Sequence, residues 1–253
     1  MYELNAVKQH HNKVKEKGYH PVFSVLIGAQ NYHLDDEQSD IDTFTFVMPS
    51  LKDLYTAREP VSGEFEVDDG KCMYKDIRLG LNLLKKTNPN SVECFIGKYK
   101  YYSPLYKSIC EKYFTNENLE YMAHCNHIHM LNAIAGMSKQ LTKRNMPAGK
   151  RYSHALRMNS MCEKYLSSYC IDTLLELLPT DHKLAFAAKR DTEHEDEYNR
   201  KCEEIAAHLY QVHDTFEVSP YRAAIENYGL QLIEHFQKDL FIKYISNEVY
   251  DGN

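Results

Sequence analysis

Val25-Leu26-Ile27-Gly28-Ala29-Gln30-Asn31-Tyr32-His33-Leu34-Asp35-Asp36-Glu37-Gln38-Ser39-Asp40-Ile41-Asp42 opens on an apolar run, breaks at a glycine and closes on two carboxylates. With Phe23 and Ser24, the apolar run reads as a buried strand that stops at Gly28. Ile41 to Val47 reads as a second strand, in which Ile41, Thr43, Thr45 and Val47 alternate with Asp42, Phe44 and Phe46. Met48-Pro49-Ser50 ends it, because proline cannot continue a central ladder. Asp40 and Asp42 are two apart at the start of this strand, so both carboxylates leave one face of the sheet. Held that close they repel each other, and a cation between them removes the conflict. Mg²⁺ suits such a pair, since it binds one or two carboxylates together with substrate phosphates. The turn at Gly28 offers backbone N–H groups to a phosphate.

Outward from this stretch, Gly63 to Lys75 carries Asp68-Asp69-Gly70, a turn signal between two short strands. A helix follows from about Asp76 to Lys86, with Ile77, Leu81 and Leu84 on one face. Beyond Tyr99 the apolar residues recur at helical spacing: Leu174 to Leu178, Ala206 to Tyr210, and Ile225, Leu230, Ile233 and Phe236 mark three helices. The expected organisation is an α/β domain over residues 1–100 and a helical domain over residues 101–253.

The 253 residues are 43% hydrophobic and 26% charged, enough apolar material for a packed core and too much for a disordered chain. Thirty Lys and Arg against 36 Asp and Glu leave a net charge of −6, which excludes a generic nucleic-acid binder but not a local basic face. Pro21 to Ala29 is too short to cross a bilayer, and residues 1–20 lack the apolar core of a signal peptide. Seven cysteines without a C-x-x-C pair fit a reduced, cytoplasmic protein.

Lys150, His154 and Arg157 sit at i, i+4 and i+7, one stripe of a helix able to grip a triphosphate or an RNA backbone. Asn90 followed by Glu93 reads as a helix cap, and Lys85 and Lys86 fit a helix C-terminus. Asp35, Asp36 and Glu37 read as a solvated loop, and the acidic run Glu193 to Glu197 as a solvated helix end or loop. His124-x-x-His127-x-His129 beside Cys125 lacks a second cluster to complete a zinc site.

Gly28 to Leu34, then Ser39-Asp40-Ile41-Asp42-Thr43, then Pro49-Ser50 resemble the nucleotidyltransferase superfamily, more closely its predicted members from bacteria and their phages. The likeness continues through Lys75-Asp76-Ile77-Arg78-Leu79, Lys85-Lys86-x-Asn88-x-Asn90-x-Val92-Glu93, Gly136-Met137 and Lys150-x-x-x-His154-x-x-Arg157. The resemblance implies an α+β fold: a nucleotidyltransferase-like mixed sheet with flanking helices, followed by an all-helical part. It implies transfer of a nucleoside monophosphate from a nucleoside triphosphate to an acceptor hydroxyl of RNA or tRNA, protein or a small molecule. Asp40 and Asp42 would hold Mg²⁺ or Mn²⁺, and Gly28, Ala29, Gln30, Ser39, Lys150, His154 and Arg157 would bind the nucleotide. Two positions depart from the pattern. Ala29 replaces the family serine, leaving Gln30 as a substitute. Met73 stands where a third carboxylate is expected, so that Glu64, Glu66 or, in the matching Lys-Asp block, Asp76 takes that catalytic role. The alternative is an inactive nucleotidyltransferase fold that binds nucleotide or RNA.

Overall fold

Six consecutive buried residues, Pro21 to Leu26, make β1 (His20–Ile27) a strand covered on both faces. The computed structural model describes residues 2–35, 39–67, 70–167 and 181–251. Ahead of β1 comes α1 (Tyr2–Glu16); after it come β2 (Asp42–Met48), α2 (Leu51–Tyr55), β3 (Ser62–Val67) and β4 (Gly70–Asp76). Then follow α3 (Ile77–Lys85), α4 (Pro89–Ile96), β5 (Lys100–Tyr102), α5 (Lys107–Tyr113), α6 (Asn116–Ala123), α7 (His127–Leu141) and α8 (Ala148–Ser167). The chain closes with α9 (His182–Arg190), α10 (Glu195–Thr215) and α11 (Pro220–Asp251). The fold is α+β, a mixed sheet in the N-terminal half followed by a helical part.

The sheet runs β3-β4-β2-β1-β5, with β2 and β4 parallel and the other pairs antiparallel. Pairing of Ile27 with Asp42 and Val25 with Phe44 fixes which side chains share a face. Asp42, Phe44, Phe46, Lys71, Met73, Lys75, Glu64 and Glu66 therefore lie on one side, towards α3 and α4. The other side is covered by α1, whose Ala6, Val7 and Val14 pack on Leu26, Ile41, Val47 and Cys72. Between them His10 bonds Thr43 at 2.8 Å and His11 bonds Ser24 at 2.9 Å, so these buried polar groups are satisfied by one another. Residues 1–20 read only as polar because these two histidines occupy apolar-spaced positions of the α1 stripe.

The expected helix starting near Asp76 begins at Ile77, with Asp76 as its N-cap. Asn88, not Asn90, caps α4 by accepting the backbone N–H of Asn90 at 3.1 Å. Proline directly after Asn88 favours that cap, since N1 needs no N–H. The turn residues Asp68 and Asp69, Asp36 and Glu37 of the acidic loop, and the Leu174–Leu178 helix lie outside the described residues. The boundary expected at residue 100 falls at the start of β5, which pairs with β1. One apolar core runs across it, from Phe23 and Phe95 through Phe114 to Phe236. No described helix is long and apolar enough to cross a membrane.

Candidate nucleotide site

At the end of β1 the chain turns through Gly28 at φ 87° and ψ −157°, a conformation open essentially to glycine alone. A short 3-10 turn, Ala29–Tyr32, follows and leads into the loop that returns to β2. His33, Leu34 and Asp35 of this loop are held from the helical half. His182 donates to the carbonyl of His33 at 2.7 Å, Lys189 to that of Leu34 at 2.7 Å, and Arg190 to that of Asp35 at 3.5 Å.

A cleft of about 450 Å³ opens over this turn. Gly28, Ala29, Ser39, Asp40, Asp42, Lys150, His154 and Arg157 all line it. Residues more than 100 positions apart in the sequence thus meet at one site. Asp40 is exposed and Asp42 half-buried, its Oδ1 accepting the backbone N–H of Lys71 at 3.2 Å. Burial raises the Asp42 carboxyl above its ordinary range, and the negative charges of Asp40 and Glu66 push the same way against Lys71. A divalent cation would relieve that repulsion, and the two-oxygen-donor set suits Mg²⁺ or Mn²⁺ completed by phosphate oxygens. Among the described residues no group of three or more His, Cys, Asp or Glu is gathered to hold a metal.

Two expected nucleotide ligands behave differently. Gln30 does not line the cleft; its Nε2 donates to the backbone carbonyl of Asp40 at 2.6 Å, tying the glycine turn to the carboxylate pair. His154 lines the cleft but is neutral, its pKa pushed down to about 3 by burial and then by Arg157, Lys150, Arg144 and Lys189. The stripe therefore presents two cations and a neutral imidazole.

Asp76 does not join Asp40 and Asp42. It pairs with Val47 at the far end of β2, about 16 Å along the strand from Asp42 at the usual rise. It is 1% exposed, caps α3 through the N–H of Arg78 and grips the Arg78 guanidinium with both oxygens. Glu64 and Glu66 share the Asp42 face but stand exposed on β3, paired with Lys71 at 3.7 and 3.4 Å. Met73 lies beside Phe44. The histidines at the end of α6 and the start of α7 face elsewhere: His127 bonds Glu226 at 2.9 Å, and His124, the C-cap of α6, stacks on Tyr165.

Three residues of the site were not expected there from the sequence. Lys189 reaches the cleft from the last turn of α9, where it precedes Arg190 and follows the buried Ala185 and Ala188. Tyr32 is buried under Arg157, whose guanidinium carbon lies 4.2 Å from the ring centre. Glu93, expected as a cap, is buried and faces Arg157 with Oε1 3.9 Å from Nη2. Beyond this Tyr32–Arg157–Glu93 partition lies a second cavity of about 530 Å³, which shares Gly28, Tyr32 and Arg157 with the first.

No family model matches the chain, and no curated protein matches its sequence.

Proposed function

We propose that the chain is a metal-dependent nucleotidyltransferase that binds a nucleoside triphosphate with its phosphates over Gly28. The observation that carries this reading is the convergence in one cleft of a glycine turn, two carboxylates and the cations Lys150, Lys189 and Arg157. A divalent ion held by Asp40 and Asp42 would neutralise phosphate charge and orient the attacking oxygen. Backbone N–H groups at Gly28 and Ala29 receive phosphate oxygens, and the hydroxyl absent from Ala29 costs about one neutral hydrogen bond, roughly 0.5–1.5 kcal/mol. Lys150 and Lys189 hold the outer phosphates, while neutral His154 supplies a donor or acceptor without adding charge. An acceptor hydroxyl bonds to the α-phosphorus as the bond to pyrophosphate breaks, its proton passing to solvent or a cleft carboxylate. RNA or tRNA ends, proteins and small molecules all carry such a hydroxyl.

One observation favours a second reading, an inactive fold that binds nucleotide or RNA: Asp76 is engaged as a cap, and Glu64 and Glu66 are paired with Lys71. Incubation with each labelled triphosphate, Mg²⁺ or Mn²⁺ and a pool of cellular RNA and protein separates the two. Transfer of label that Asp40→Asn and Asp42→Asn abolish supports the enzyme. Metal-linked triphosphate binding without any labelled product supports the binding module, and equal binding by both Asp→Asn variants overturns the site.

A further inference from the structure

Behind the phosphate cleft the second cavity follows the same face of the sheet, from Gly28 past Phe44 to Phe46, with Met73 on the floor and Asn88 at the N-cap of α4. Asp42 to Phe46 spans about 13 Å at the usual strand rise, the reach of a ribose and a base laid end to end. Phe44, Phe46 and Met73 give the floor an apolar, aromatic surface, as a base face requires, with Lys75, Asn88, Asn90 and Ser91 as polar groups around it and Glu93 and Arg157 at the border with the first cavity. There, two buried polar atoms of opposite character have no hydrogen-bond partner: Oε1 of Glu93 and Nε of Arg157. Glu93 is only 9% exposed, and its distance from Arg157 exceeds a hydrogen bond. Buried orphans of this kind are costly, and a pair on the wall of one cavity fits a group that both donates and accepts. A sugar hydroxyl does both.

Resting on the nucleotidyltransferase reading, we propose that the second cavity is a nucleoside pocket in which Glu93 and Arg157 take a ribose hydroxyl and Phe44 and Met73 take the base, so that the substrate is a ribonucleotide. With the phosphates over Gly28, the sugar is the next group along the ligand, and the border formed by Tyr32, Arg157 and Glu93 is the next place along the sheet face. The hydroxyl donates to Glu93 Oε1 and accepts from the N–H of Arg157 Nε. A deoxy sugar leaves both atoms buried without a hydrogen bond.

Calorimetric titration in Mg²⁺ of inorganic tripolyphosphate, the four ribonucleoside triphosphates and the 2′- and 3′-deoxy forms of the tightest tests this on the unaltered protein. The tightest ribonucleotide should bind at least tenfold better than tripolyphosphate, and loss of one sugar hydroxyl should weaken it roughly tenfold to a hundredfold. Met73→Trp, which fills the floor, should remove the nucleoside's advantage and leave tripolyphosphate binding unchanged. Deoxy forms equal to the ribonucleotide, or tripolyphosphate as tight as every nucleotide, overturn the pocket while leaving the phosphate cleft standing. Failure of tripolyphosphate itself to bind overturns the nucleotidyltransferase reading, and the pocket falls with it.

Discussion

Replacing Asp76 distinguishes a carboxylate that builds the fold from one that serves chemistry, and the structure sets the size of the effect. Its Oδ1 accepts the backbone N–H of Arg78 at 2.8 Å, and its two oxygens hold Nε at 3.1 Å and Nη2 at 2.7 Å. Asp76→Asn keeps a good N-cap acceptor and removes only the charge opposite the guanidinium. Breaking a fully buried ion pair costs about 3–5 kcal/mol. The Arg78 side chain is 21% exposed and regains some water, so about 2 kcal/mol is the better figure for this pair. Asp76→Ala loses the cap as well, adding about 1 kcal/mol. At roughly 2–4 °C per kcal/mol for a chain of this size, the alanine variant should melt about 6–12 °C below the parent. Urea titration should show the midpoint moving at constant slope, and Asp76→Asn should be nearly silent in an Arg78→Met background. Mg²⁺-linked binding of tripolyphosphate, measured below the transition, should be unchanged. An alanine variant as stable as the parent, or one that folds normally and loses metal-linked binding, would refute the assignment.

Asp42→Asn should act in the opposite sense. The folded state raises the Asp42 carboxyl and so binds its proton more readily than the unfolded chain; stability from this group is present at low pH and lost as pH rises through the raised value. The apo variant should therefore melt higher than the parent at pH 7, with the gap closing below the ordinary carboxylate range, and Mg²⁺ should stabilise the parent alone. His154 has the reverse linkage: with a folded pKa of about 3 it refuses the proton that the unfolded chain accepts near 6.5, so its contribution is lost as pH falls below 6.5. His154→Gln should flatten the stability profile between pH 6.5 and 4, and the His154 ring resonances of the parent should not titrate between pH 5 and 8; a midpoint near 6.5 would overturn its neutral role.

Local patterns made much of this architecture readable from the sequence. Alternation through Ile41 to Val47 assigned both faces of β2, and the glycine after Ile27 placed the turn. The stripe on α8 was legible because helical spacing projects residues seven apart onto one side. Asp76 misled because strand position is not written in a Lys-Asp block: only the parallel register of β2 and β4 shows that it sits at the wrong end. The charge state of His154 was not legible, because burial and surrounding charge are tertiary properties. Lys189 gave no sign, since its place in the cleft depends on how α9 docks against α8.

That docking has a consequence for how the molecule can be divided. The loop after Gly28 surrenders three successive carbonyls, those of His33, Leu34 and Asp35, to side chains of α9. At position 149 of α8 there is no room even for a methyl group, because the backbone of Ala188 and Asp191 already fills it. The two halves are thus tied at this loop: a fragment ending near residue 100 would keep the acidic pair but forfeit the splint that shapes the loop beside it. Grafting a different helical half onto the sheet would reshape phosphate recognition at the same stroke, and whatever loosens α9 loosens the loop with it.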